Sequence, residues 1–394
     1  MVIFPKGFAA AGTACGIKKT GKKDLALFYS EAPCRAAGVF TKNIFKAAPV
    51  IVSKLRVGGM CRAIIANSGN ANACTGAAGI KDAVATSREV AEYLNLKPAE
   101  VLVASTGVIG HFLPLEKIRK GVKILSKKIL DGKNDPGAAA KAIMTTDTFP
   151  KSAYATFMSG GKRSTIWACA KGSGMIAPNM ATMLSFILTD AAITKNALSR
   201  ALKKAADASF NRLTVDGDTS TNDTALILAN GAAQNRKIDG GRDFAAFSAA
   251  LRKVCVHLAE TLASDGEGAT KLMVVNVDGA RNDSEAARAA KCVAESPLVK
   301  TAVYGRDANW GRVVAALGRS GALVSPAATS VAFGRLKVFE RGRPASFSEA
   351  AAKKILSAKK VEINIKIGSG KGEAKYFSCD FSEGYIKVNA AYRT

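Results

Sequence analysis

Short apolar runs alternate along this chain with stretches whose apolar residues recur every three or four positions. That alternation restricts the fold to an α/β or α+β class, with a two-sheet layered core flanked by helices. Residues 61–66, 101–104, 183–188, 224–228, 272–277 and 361–367 read as strands. Residues 152–158 and 165–170 flank Ser159-Gly160-Gly161-Lys162, which predicts a hairpin. Residues 192–208 and 244–263 read as helices; in the second, Phe244, Phe247, Leu251, Val254, Leu258 and Leu262 keep helical spacing. Leu115, Ile118, Val122, Leu125 and Ile129 predict another helix, with lysines on its opposite face. Residues 105–110, 171–174 and 264–270 are turn-rich and predict loops; 342–356 begins as a turn and becomes a helix.

A length of 394 residues favours two units and supports a core with no metal or disulfide staple. Alanine (71) and glycine (36) are abundant, so layers can approach closely and backbone turns can be tight. The net charge of +26 invites a nucleic-acid reading, but it is spread over both halves: +16 before residue 182 and +10 after it. No zinc finger, basic zipper region or aromatic RNA-binding strand accompanies it, so the charge is expected to describe a solvated surface. The eight cysteines are dispersed without a CxxC pair, and His111 and His257 are the only histidines. Free thiols in a reducing compartment are expected, with no metal site. The first residues make a poor signal peptide, and no run of about 20 apolar residues predicts a membrane span. The expected location is the cytoplasm.

The most specific segment is Lys171-Gly172-Ser173-Gly174-Met175-Ile176-Ala177-Pro178-Asn179-Met180-Ala181-Thr182, a glycine-bearing loop delivering a threonine to the start of an apolar strand. It resembles the self-cleavage segment of the glutamate N-acetyltransferases, also called ornithine acetyltransferases, of arginine biosynthesis. Gly16-Ile17-Lys18, Val39-Phe40-Thr41-Lys42-Asn43, Asn67-Ser68-Gly69-Asn70-Ala71-Asn72-Ala73, Ser105-Thr106-Gly107-Val108-Ile109-Gly110 and Met144-Thr145-Thr146-Asp147-Thr148 fit the same family. So do residues 214–223 and 389–394, and the similarity runs nearly end to end. Cys74 and Ala308 depart from the family pattern at two loops.

The resemblance implies a precursor that cuts itself between Ala181 and Thr182 into chains 1–181 and 182–394, with a smaller C-terminal portion inside the second. Thr182 then becomes the nucleophile of a ping-pong acetyl transfer, its freed amine serving as base. Thr106 and Gly107 are implied to stabilise the oxyanion. Thr145, Lys171, Thr182, Glu267, Asn389 and Thr394 are implied to bind substrate, Lys171 reading a carboxylate and Glu267 an ammonium. The implied reaction moves acetyl from N2-acetyl-L-ornithine to L-glutamate without a cofactor. Some members also accept acetyl-CoA as donor. The implied assembly is a heterotetramer of two copies of each chain, with a fold akin to self-processing aminopeptidases. Such an aminopeptidase or amidase is the rival reading. Asp216-Gly217-Asp218 lacks the ligand spacing of a calcium loop and is expected to be hydrogen-bonded scaffolding, as are Asn70, Asn72, Asp307, Asn309 and Trp310.

Overall fold

The computed structural model describes residues 3–177 and 183–391. The first sheet takes β1 (Phe8–Thr13), β2 (Leu25–Phe40), β3 (Met60–Asn70), β4 (Val101–Val108), β5 (Lys151–Ser159), β6 (Lys162–Lys171), β7 (Leu184–Thr189) and β8 (Thr224–Ala229). Helices α1 (Ala48–Arg56), α2 (Gly76–Tyr93), α3 (Leu115–Leu130), α4 (Pro136–Ala142), α5 (Lys195–Ala208) and α6 (Gly241–Ser264) connect and follow these strands. The strand order is β4-β3-β2-β8-β7-β6-β5, with β1 also on β2.

The long strand β2 makes this sheet fold over itself. Its first half, Leu25–Ser30, pairs with β1, and Arg35–Phe40 pairs with β8. The register against β3 breaks between Tyr29 and Cys34, a stretch containing Pro33, which has no N–H to give to a ladder. Beyond the break the sheet turns back, so that the Phe28 ring lies 5.1 Å from Phe186 of β7 and 6.2 Å from Trp167 of β6. One buried cluster, including Phe28, Ile64, Trp167, Phe186 and Leu226, fills the space between the two layers. Each such side chain stabilises the fold by roughly 1.5–3 kcal/mol. Outside one layer, Leu25, Ile65 and Val103 pack against Val90, Ile118 and Val122 of α2 and α3. Outside the other, Ile166, Ile187 and Ile227 pack against α5 and α6 through Leu198, Leu202, Leu251 and Leu258. The architecture is therefore helix, sheet, sheet, helix, as expected from the sequence.

A second sheet, in the order β12-β11-β10-β13-β9-β14, comes entirely from the later sequence. Its strands are β9 (Leu272–Ala280), β10 (Ser330–Phe333), β11 (Leu336–Glu340), β12 (Arg343–Pro344), β13 (Lys360–Lys366) and β14 (Gly372–Cys379). Its helices are α7 (Asp283–Ala294), α8 (Pro297–Gly305), α9 (Trp310–Gly318) and α10 (Glu349–Leu356), with α11 (Glu383–Ala391) following β14. Met273, Val275, Ile363 and Ile365 face a separate core. Val274 and Phe377 point the other way, into the cluster that holds α6. Thus α6 packs against both sheets.

Most predicted elements are present with small differences at their ends. The hairpin forms with Ser159 opposite Lys162, and Gly160 and Gly161 supply the two positive φ angles (52° and 74°) of a tight turn. The helix expected from residue 192 starts at Lys195, because the Thr194 side chain accepts the Ala197 N–H and caps it. The lysine-bearing α3 buries Ile118, Val122, Leu125 and Ile129, as its spacing predicts. One expectation is corrected: residues 105–108 are not loop. β4 continues through Val108 beside β3, with an irregularity at Gly69 and Asn70 that lets polar residues stay in the ladder. Among the described residues no helix is long and apolar enough to cross a membrane.

Candidate active site

The C-terminal ends of β4 and β6 meet the N-terminal ends of β7 and β8 around a cavity of about 140 Å³. Thr106 and Gly107 come from β4, Lys171 from β6, and Met183 and Leu184 from the entry to β7. Thr145 and Thr146 reach it from the loop after α4, Glu267 from the loop after α6, and Asn389 from α11. Six residues assigned by resemblance are thus brought together: Thr106, Gly107, Thr145, Lys171, Glu267 and Asn389. Ala181, Thr182 and Thr394 lie outside the described residues. Met183, which follows Thr182 in the sequence, lies in the cavity wall.

Gly107 sits where only glycine fits. Its φ is 130°, and a Cβ there would lie 2.4 Å from the Gly69 carbonyl carbon. The strand end is fixed from both sides. Ser105 Oγ donates to Asn67 Oδ1 at 2.6 Å, and Asn222 Nδ2 donates to the carbonyls of Ala71 (2.6 Å) and Ser105 (2.8 Å). The expected scaffolding role of Asn70 and Asn72 holds. Asn70 Nδ2 donates to Phe112 O, Asn70 Oδ1 accepts the Asn72 N–H, and Asn72 Nδ2 donates to Gly79 O.

Lys171 is buried, and its Nζ donates to Thr106 Oγ1 at 3.3 Å. Burial lowers its pKa from the ordinary 10.5 and Lys151 pushes the same way, while Asp147, Asp223 and Glu267 resist. Glu267 is also buried. Its N–H donates to Ser173 O at 2.8 Å and its Oε2 accepts Asn389 Nδ2 at 2.9 Å. Gly174 leaves room for that carboxylate, since a Cβ there would fall 2.3 Å from Oε2. A lysine and a glutamate therefore face one small cavity from separate elements. When charged, two such groups are able to hold the oppositely charged ends of an amino acid.

Asp216 confirms its expected scaffolding role. It accepts the N–H groups of Met175 (2.6 Å), Ile176 (2.8 Å) and Asp218 (3.3 Å), and it also receives the Tyr385 hydroxyl at 3.5 Å. Burial raises its pKa against those donors. The bonds hold Met175 at a φ of 53°, unusual for a residue with a side chain. Far from the cavity, Asn309 caps α9 by accepting the Arg312 N–H, Asp307 accepts from Asn309, and Trp310 stacks on Phe339.

Beneath the cavity lies a buried ionic cluster that no local sequence pattern marks. Lys151 Nζ donates to Asp147 Oδ1 at 2.6 Å and Asp265 Oδ2 at 2.5 Å, with all three side chains buried. Asp147 was visible only as part of the Met144–Thr148 resemblance, and Asp265 as part of a glycine-rich loop. Their 118-residue separation left no local pattern to join them. Among the described residues, no group of three or more His, Cys, Asp or Glu side chains could hold a metal ion.

Comparison with known proteins places this geometry in context. The model of the ArgJ family matches residues 9–394. The arginine biosynthesis bifunctional protein ArgJ of Symbiobacterium thermophilum is 50% identical, the alignment covering 100% of this chain and 98% of that protein. Its namesake from Bacillus subtilis is 46% identical, covering 99% and 96%. The crystal structure of the argJ protein from Bacillus halodurans is similar at a TM-score of 0.53 and 45% identity, over 54% of this chain and 100% of that chain.

Proposed function

Because the chain belongs to the ArgJ family, and is thereby a glutamate N-acetyltransferase of arginine biosynthesis, we propose that it moves acetyl from N2-acetyl-L-ornithine to L-glutamate through an acetyl-threonine at Thr182. The observation that carries this reading is the single cavity in which Thr106, Gly107, Lys171 and Glu267 converge beside Met183, the residue after Thr182.

The precursor cuts itself between Ala181 and Thr182, giving chains 1–181 and 182–394. The freed Thr182 amine, with a reference pKa near ~8, takes the proton of its own hydroxyl. Oγ attacks the acetyl carbonyl, and the Thr106 hydroxyl and Gly107 N–H stabilise the oxyanion. The C–N bond breaks, the ornithine α-nitrogen leaves carrying the proton, and acetyl remains on Oγ. The glutamate amine then attacks that ester, and Oγ leaves as hydroxyl. Lys171 pairs with a substrate carboxylate and Glu267 with an ammonium, while Thr145, Asn389 and Thr394 add polar contacts. The proposed transfer uses no metal and no organic cofactor. Acetyl-CoA is a second donor in this reading, in keeping with the word bifunctional in the names of the relatives. The two chains assemble as a cytoplasmic heterotetramer of two copies each.

Intact-mass measurement followed by assay with acetylornithine and glutamate, with and without acetyl-CoA, tests the reading. The expected result is two fragments, the second starting at Thr182, and formation of acetylglutamate. An intact 40.9 kDa chain, or release of acetate without acetylglutamate, would overturn it. Thr182→Ala is expected to remain whole and to transfer nothing. Glu267→Gln is expected to raise KM for the ammonium-bearing substrate by roughly tenfold, about 1.4 kcal/mol of lost binding. Unchanged KM would remove Glu267 from the site.

A further inference from the structure

The buried cluster beneath the cavity is built toward the substrate-binding residues. Asp147 uses both carboxylate oxygens: Oδ2 accepts the Thr145 N–H at 2.9 Å, and Oδ1 accepts the Gly172 N–H at 2.8 Å along with Lys151 Nζ. One side chain therefore ties down Thr145 and the turn immediately after Lys171. Asp265 fastens the cluster from the other side. It accepts the Thr148 N–H at 3.0 Å and the Thr148 hydroxyl, and its carbonyl accepts Ser173 Oγ at 2.6 Å. The Ser173 carbonyl then accepts the Glu267 N–H.

The charges matter as much as the bonds. Two buried lysines, Lys151 and Lys171, share this region with the buried side chains of Asp147 and Asp265. Lys151 lies between both carboxylates, whereas Lys171 makes its hydrogen bond to a neutral hydroxyl. An uncompensated buried ammonium loses its proton. We propose that Asp147 is a positioning residue for the acetyl-transfer reaction, fixing Thr145 and the Lys171–Gly172 turn while supplying the buried countercharge that keeps Lys171 an ammonium able to hold a substrate carboxylate. The proposal rests on the reading of Lys171 as a substrate-binding residue.

The same neighbourhood explains the direction of each effect. Lys171 feels Asp147 from the loop before β5, Lys151 from β5, Asp223 from the approach to β8 and Glu267 from the loop after α6. Lys18, half-buried after β1, adds a further positive charge; burial lowers it to about 8 despite the nearby Asp24. Asp216 and Asp218 line the same cavity. Burial acts to raise the Asp147 pKa, but Lys171, Lys151 and the Gly172 N–H outweigh it and hold it down to about 2, so Asp147 is charged throughout the working range.

Asp147→Asn keeps the shape and removes the countercharge. The alkaline limb of kcat/KM, where Lys171 loses its proton, is expected to move down by ~1 pH unit or more, and KM is expected to rise with little change in kcat. A folded, cleaved variant with an unmoved alkaline limb overturns the proposal, since a purely structural role lowers activity at every pH alike. If that variant does not fold, Asp147→Glu, which keeps the charge but displaces the carboxylate from the Thr145 and Gly172 N–H groups, serves in its place. Its KM is expected to rise while its alkaline limb stays, and a wild-type KM is again a refutation. Trace acylation of Lys171 with acetic anhydride across pH, read by peptide mass spectrometry, reports its pKa without turnover. A wild-type protein that transfers no acetyl defeats the functional reading, whereas an Asp147→Asn protein with unaltered Lys171 labelling defeats this one.

Discussion

At the scale of single residues, the site depends on places where a side chain is either absent or unable to vary. Gly107 combines a φ of 130° with backbone of β3 where a Cβ would be. Gly107→Ala is therefore expected to displace the proposed oxyanion donor and lower kcat by 10²–10³-fold, the usual loss of one such donor. Steady-state acetyl transfer measures it, and a loss under threefold would argue against the role. Asp147 brings a pH dependence of its own. Its folded pKa of about 2 lies below the ordinary 3.8, so its contribution to stability is full above the unfolded value and is lost as pH falls from about 4 to about 2. Acid unfolding of Asp147→Asn is expected to be less steep over that window, as circular dichroism would report.

At the scale of elements, the sequence was informative wherever a pattern was local. The Gly160-Gly161 turn between two apolar runs and the three-and-four spacing of α3 need no distant partner, and both formed as read. The polar end of β4 reads as loop in the sequence because its stability comes from β3 and from Asn222, which lies 117 residues from Ser105. The break in β2 likewise has meaning only beside its two partners, β1 and β8. Asn222→Ala removes both side-chain donors to Ala71 and Ser105 and leaves buried carbonyls unpaired. It is expected to cost roughly 2–4 kcal/mol in urea unfolding. The approach of α11 is another element-scale constraint. Gly268 has a φ of 70°, and a Cβ there would lie 2.2 Å from Tyr385 N. Gly268→Ala is expected to push α11, and Asn389 with it, away from Glu267, raising KM about tenfold while kcat changes less. A KM equal to wild type would show that α11 does not hold substrate.

At the scale of the whole molecule, the net charge of +26 that dominates the composition is spread over both halves of the chain. The lysines of α3 face solvent, while Lys151 and Lys171 at the site are buried and lie among carboxylates. What governs the molecule is the order of its first sheet. β7 and β8 come from after residue 182, yet they lie between β2 and β6, which come from before it. β6 pairs with β7 from Ile166–Thr189 to Lys171–Leu184, and β2 pairs with β8 over six residues. Segments 1–181 and 182–394 are thus interleaved in the first sheet like the fingers of two hands, and neither owns the whole of it. A cut between them would leave a nicked protein that behaves mechanically as one piece. Two polypeptides made from separate genes would have to find each other before the first sheet could form, so their yield of soluble complex should depend on simultaneous synthesis and should not be recovered by mixing them afterwards.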